Sequence, residues 1–164
     1  MPNHVINYLT IDCEDITPIL EFIRGEDSEQ FIDFNKISPM PLELESTTSP
    51  TRIITEEEFK RNQASGINNG ITQEMKDSLM KNYLAANWYD WRLQNWGTKW
   101  NAYNQSLSDN QIVFQTAWST PVEVIEKLSK LFPNALFVVK YADEDLGCNC
   151  GGYQFTNGKF YEIS

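Results

Sequence analysis

The sequence predicts an α+β fold in which helices cover one face of an antiparallel sheet, with a helical and loop insertion in the middle and a hairpin at the C-terminus. Three observations carry this. Short segments rich in β-branched and aromatic residues open the chain and recur after residue 100. Two amphipathic helices, each with its own start and stop signals, stand between them. Setting aside the polar, turn-rich stretch in the middle leaves the order βαββαβ, the split βαβ or ferredoxin-like arrangement. At 164 residues the chain has the size of one domain, and the insertion is placed at about residues 42–95.

The elements follow in order. VINYLTI is short and dense in strand formers, a buried strand. In DITPILEFIRG, Ile16, Ile19, Leu20 and Ile23 recur at helical spacing, Pro18 sits in the first turn and Gly25 just past the end, so this is an amphipathic helix. FIDFNKISPMP has apolar Phe31, Ile32, Phe34 and Ile37 and ends in Pro39 and Pro41, which suits a second strand or a core-anchoring segment. Residues 42–71 are rich in Ser, Thr, Asn, Gly and acids, with a short helix expected at Glu56–Gln63 and loop signals at Ser65–Gly70. The polar composition makes 45–70 the least ordered stretch expected.

From the Thr72 cap, Met75, Leu79, Met80, Leu84, Trp88 and Trp91 continue one helical pattern until Gly97 stops it. TKWNAYNQSL and QIVFQTAW flank Ser108-Asp109-Asn110 as a hairpin, with Ile112, Phe114 and Trp118 on one face. Thr120 and Glu123 have capping-box spacing and Pro121 stands at the first helical position. Behind them Val124, Leu128 and Leu131 form a buried stripe, flanked by Ile125 and Phe132. ALFVVKYA is a strand, and the tail folds back at Thr156-Asn157-Gly158 as a second hairpin.

All five tryptophans fall within residues 88–118. Large aromatics contribute most when buried, so the cluster is expected to be core: Trp88 and Trp91 on a helix face, Trp96 and Trp100 around Gly97, Trp118 closing the sheet side. The net charge is -10, and residues 1–60 hold 13 acids against 4 bases. Such a surface repels phosphate backbones, which argues against direct nucleic-acid binding. A solvated acidic face explains the charge; the sharper alternative is docking of a basic protein, with Asp27, Glu29, Glu43 and Glu45 as contacts. No apolar run reaches the ~20 residues of a membrane span and no leader pattern opens the chain, so a cytoplasmic protein is expected, its three cysteines reduced.

With His4 the only histidine, no Ser-His-Asp triad, multi-histidine zinc site or two-histidine iron facial triad is expected. His4 is read as structural, so no catalytic residue is assigned. Cys148 and Cys150, two apart on a presumed strand, would need Cys13 and His4 to complete a metal site; small core residues are the plainer reading, and no metal or cofactor is expected. Asp143, Glu144 and Asp145 end a strand without calcium-loop spacing and read as solvated turn carboxylates. Lys99, between Trp96 and Trp100, is the most interesting polar group. It suits a salt bridge to Asp90 or to residues 143–145, or a ligand-contacting cation in an aromatic pocket with Asn101 and Tyr103.

MPNHVINYLTI, FIDFNKISPMP, NWYDWRLQNWGTKWNAY, FQTAWSTPVEVIEKLSKLFP and YADEDLGCNCG together resemble the ordered blocks of the YubB-type ferredoxin-like family of phage, prophage and plasmid proteins. The resemblance implies a ferredoxin-like fold without an iron–sulfur cluster and a mobile-element origin in a bacterial host cell. It implies no activity. The chain departs from the family after the acidic pair, where it reads YADEDLG, and between Pro41 and Tyr83. The function expected is a non-enzymatic protein-binding module that uses its acidic first third, with a basic host nucleic-acid-binding protein as the partner imagined. The alternative is a small-ligand binder or enzyme built on Trp96, Lys99, Trp100, Asn101, Tyr103 and the acids 143–145.

Overall fold

The computed structural model describes residues 2–145 and 147–163. The elements are β1 (His4–Asp12), α1 (Thr17–Ile23), α2 (Phe34–Ile37), a 3-10 turn (Leu42–Leu44), α3 (Glu56–Ala64), α4 (Gln73–Tyr83), α5 (Trp88–Asn95), β2 (Tyr103–Ser108), β3 (Gln111–Ala117), α6 (Val122–Leu131), β4 (Leu136–Asp143), β5 (Cys150–Thr156) and β6 (Lys159–Ile163). They form two compact units, Met1–Pro39 with Asn95–Ser164, and Met40–Gln94.

The first unit holds the six-stranded sheet, ordered β2-β3-β1-β4-β5-β6, with every neighbouring pair antiparallel. β1 to β4 with α1 and α6 make the ferredoxin-like βαββαβ core, and the β5–β6 hairpin widens it beyond β4. The register explains the core. Leu9 stands opposite Ile112 and Val139, and Phe137 opposite Ile11 and Phe155. Directly opposed residues share a face, and all six are buried. α6 lies against β4, β5 and β6 with Val124, Ile125 and Leu128 buried, and α2 touches both α1 and α6. Asn157 and Gly158 turn the last hairpin at φ 47° and 76°, the paired positive angles for which Asn-Gly is suited.

FIDF is not a strand. Its backbone is met by side-chain amides: Ile32 N–H donates to Gln105 Oε1 (2.8 Å), Gln105 Nε2 donates to the Ile32 carbonyl (2.9 Å), and Phe34 N–H donates to Asn101 Oδ1 (3.0 Å). With those groups satisfied no ladder is needed, and Asp33 caps α2 by accepting from Asn35 N–H. The segment anchors the core through buried Ile32, Phe34 and Ile37.

α6 starts later than its sequence signal. Thr120 does not cap it but donates its hydroxyl proton to Asn7 Oδ1 (2.7 Å), and Pro121 occupies the N-cap. Leu131, expected in the buried stripe, is 46% exposed at the helix end. The segment 98–101, expected to begin the hairpin's first strand, lies outside β2.

In the second unit the long helix expected from Thr72 to Gly97 is two. Leu84 takes φ 58° and closes α4, and Asn87 restarts the chain by accepting from Asp90 N–H at its side-chain oxygen (2.8 Å). A hydrophobic pattern that passes through both elements concealed the break. The polar 45–70 stretch carries more structure than its composition suggests: Thr55 and Thr72 cap α3 and α4, and Ile53 bridges to Ile71. Among the described residues no helix is long and apolar enough to cross a membrane.

The tryptophans are not one core. Trp96 is fully buried and Trp91 nearly so, Trp88 is half-buried, and Trp100 and Trp118 are 38% and 54% exposed. Trp96 alone joins the sheet core, edge-on to Phe34 (5.7 Å), with its indole N–H donated to the Ser38 carbonyl (2.9 Å). Trp96→Ala is expected to lower stability by about 3–5 kcal/mol in urea unfolding, while Trp100→Ala costs less than half as much.

Candidate functional site

The site grows from the sheet register. His4 opens β1 opposite Ala117, the last residue of β3, and Val5 lies opposite Asp143, the last of β4. One end of the sheet therefore gathers His4, Trp118 and the acids 143–145. A second strut brings Lys99 there: Thr98 Oγ1 donates to the Ala117 carbonyl (2.8 Å) and Ser119 Oγ to the Gly97 carbonyl (2.6 Å). Gly97 is required at this junction. It has φ 83°, and a Cβ there would lie 2.0 Å from Glu123 Oε2.

Trp118 follows β3 with φ 71°, a left-handed backbone rare for a bulky residue. It is gripped on both sides: its N–H donates to the Asn3 carbonyl (3.0 Å), and its carbonyl accepts from Asn149 Nδ2 (3.1 Å). The same two asparagines hold the acids, Asn3 Nδ2 donating to Asp143 (3.3 Å) and Asp145 (2.9 Å), and Asn149 Nδ2 to Asp143 (3.4 Å). Glu144 and His4 exchange backbone contacts: His4 N–H donates to Glu144 Oε1 and Glu144 N–H to the His4 carbonyl, both at 3.1 Å.

Lys99 Nζ stands 4.4 Å from the Trp100 ring centroid and 5.9 Å from that of Trp118. Both lie within cation–π reach. Tyr103 packs edge-on against Trp100 (6.4 Å), and its hydroxyl lies 2.6 Å from His4 Nδ1. Burial, and secondly the charge of Glu144, push the Tyr103 hydroxyl pKa up. The second cause places the Glu144 carboxylate close enough to act on this hydroxyl.

Of the residues singled out from sequence, Lys99, Trp100, Tyr103, Asp143, Glu144 and Asp145 meet here. Trp96 does not, being core. Asn101 is structural: its Nδ2 donates to Asp33 (2.8 Å), and its oxygen accepts from Phe34 and Ala102 N–H. Asp90 accepts from Asn87 Nδ2 (3.1 Å) within the second unit. His4, Trp118, Asn3 and Asn149 were missed as site residues. No local motif marks them, since only strand register and a left-handed backbone bring them together.

The acidic residues divide between the units. Asp27 and Glu29 line a cleft of about 560 Å³ with Gln30 and residues 102–105, so Tyr103 is common to this cleft and to the aromatic cluster. Glu43 and Glu45 belong to the second unit. There Glu43 accepts a hydrogen bond from Tyr83, which raises the Tyr83 pKa, and the charge of Glu45 acts on Arg92. Among the described residues no three His, Cys, Asp or Glu side chains gather as a metal site. The Cys₃His arrangement fails for a plain reason: Cys13 follows the last residue of β1 and His4 is its first, about 30 Å apart along a strand. Cys148 also lies outside β5, which begins at Cys150, and both are exposed rather than the core residues expected.

Residues 95–164 match the family model described as a ferredoxin-like domain in Api92-like protein. The chain is also similar to the crystal structure of a protein Api92 from Yersinia pseudotuberculosis, with a TM-score of 0.55 and 10% identity, over 100% of this chain and 99% of that one. That likeness shows the fold. A search of curated proteins finds no match.

Two outcomes follow from the geometry. Trp118→Gly removes a ring that is 54% exposed and relieves a backbone angle that costs on the order of 1 kcal/mol, so the urea midpoint is expected to hold or rise. In a spectrophotometric titration compared with Tyr103→Phe, Tyr103 should ionise above the ordinary tyrosine value of about 10. Glu144→Gln should lower it only in part, because burial is the larger cause.

Proposed function

We propose that the chain is a non-enzymatic protein-binding module that engages a basic partner, with the exposed indoles of Trp100 and Trp118 at the centre of the contact. The observation that carries this is Trp118: a large aromatic kept in a left-handed backbone with more than half its surface open to solvent. Strained residues persist only where the surroundings over-determine them, and they concentrate at functional sites. Tryptophan and tyrosine are also the side chains that most often dominate binding energy. Asp27 and Glu29 add negative charge beside Tyr103, and Glu43 and Glu45 add it on the second unit. The resemblance to phage and plasmid proteins suggests a mobile-element origin and a bacterial cytoplasmic setting. A host nucleic-acid-binding protein, whose groove is basic, then suits the charge as partner. No metal or cofactor enters this reading.

A second reading has its own observation. The His4–Tyr103 contact of 2.6 Å, with Glu144 and Lys99 at the same end of the sheet, resembles a proton-handling group in a small-ligand or enzyme site. Tyr103→Phe separates the two, since it abolishes turnover of a ligand but leaves most of an interface intact.

The charge-steered version is tested on a partner captured from a bacterial lysate. Its association rate should fall steeply as salt rises past the ~8 Å screening length of physiological buffer. Asp27→Asn with Glu29→Gln should slow association, and Trp118→Gly should speed dissociation. Salt-independent association that tolerates all three changes refutes the proposal.

A further inference from the structure

We infer that the Trp100–Trp118 pair is a receptor for a single lysine or arginine side chain of the partner, and that Lys99 is the resident cation this side chain displaces. The inference rests on the binding-module reading and names the chemistry its central contact recognises.

The rings already hold an ammonium group. Lys99 Nζ is 4.4 Å from one indole centroid and 5.9 Å from the other, so the two rings share one cation. At 5.9 Å the Trp118 contact is at the outer limit of the interaction, and that ring stays 54% exposed. Trp118 is therefore incompletely used by the lysine it borders.

The surroundings favour a cation over an anion. Asp143 and Asp145 are fastened through Asn3 and Asn149 to the same backbone that carries Trp118. Glu144 is fastened to His4, whose ring contacts Tyr103, and Tyr103 packs on Trp100. Three carboxylates at one sheet end give a field that an incoming guanidinium or ammonium lowers and a carboxylate or phosphate raises. The cleft bearing Asp27 and Glu29 extends from Tyr103 and offers further carboxylates to a basic segment laid along this surface. A protein segment is the occupant these features fit, because the acidic positions extend beyond the reach of one small cation.

Lys99 then has a defined part. It occupies the ring faces while the partner is absent, and it competes with the arriving side chain. Removing its charge should tighten binding of a cation, whereas a lysine that contacted an anionic ligand would be needed for binding.

The test uses the full chain and NMR of the indole Nε1–H signals, with Trp96 as an internal control because its indole N–H is buried on Ser38. The probes are the blocked tripeptides Gly-Arg-Gly and Gly-Glu-Gly, and choline. The arginine peptide should shift Trp100 and Trp118 and leave Trp96 unmoved, and the glutamate peptide should shift none. Lys99→Gln should bind the arginine peptide roughly two- to fivefold more tightly, the range of one cation–π contact. Trp118→Gly should lose the response with its fold intact by circular dichroism.

Three results overturn the inference: no indole shift with the arginine peptide at millimolar concentration, weaker binding by Lys99→Gln, or a response to choline without one to the peptide. Failure here is distinguishable from failure of the binding-module reading. A captured partner lost by Trp118→Gly while the arginine peptide is silent keeps the module and removes the cation receptor. Peptide binding with a partner indifferent to Trp118→Gly does the reverse.

Discussion

The site depends on the buried amide of Asn7. This side chain, in the middle of the sheet's third-placed strand, has no exposed surface. Its Nδ2 donates to Thr116 Oγ1 (2.9 Å) and to the Val5 carbonyl (3.1 Å), and its oxygen accepts from Thr120. Thr116 passes the chain on by donating to the Ser119 carbonyl (2.7 Å). An unpaired buried polar group costs about 1–3 kcal/mol, so these bonds hold together or fail together. They fix the corner between β3 and α6, and that corner carries Trp118. Thr98 and Ser119 then stitch the Lys99 loop to it.

Around that corner the aromatic residues divide by environment. Trp96 reaches Phe34 and a carbonyl acceptor and becomes core, while Trp100, four residues on and past Gly97, turns outward against Tyr103. A buried tryptophan usually finds a partner for its N–H, as Trp96 does. The outward pair is left with ring faces, and the ammonium of Lys99 meets both. Hydrogen bonds fasten the backbone on each side of Trp118, so a partner of the kind proposed would have little ordering left to supply there.

Charge is organised more locally than composition suggests. The excess of acids in the first 60 residues is shared between the two units, Asp27 and Glu29 in one and Glu43 and Glu45 in the other. The acids at 143–145 come from the nearly balanced part of the chain, and one of them, Glu144, adds its charge to the burial that chiefly raises the Tyr103 pKa. Their hydrogen bonds to Asn3, His4 and Asn149 also make them structural turn groups, so one set of carboxylates both shapes the loop and charges it.

What the sequence determined by itself was local and periodic: the β1 strand, the two sheet-flanking helices, both hairpins and hence the ferredoxin-like order, because strand propensity, helical spacing and turn residues such as Asp109-Asn110 and Asn157-Gly158 act within a few residues. Lys99, Trp100, Tyr103 and the acids 143–145 were also legible as unusual residue types. The tertiary structure decided the rest. Leu84 broke a helix whose hydrophobic pattern ran on, because a left-handed cap leaves no trace in apolar spacing. Side-chain amides of Asn101 and Gln105 satisfied the backbone of FIDF and so decided for a core anchor over the strand that its composition equally allowed. Trp118 and His4 entered the site because register places His4 opposite Ala117, and pairing between strands more than 100 residues apart is written in no single segment.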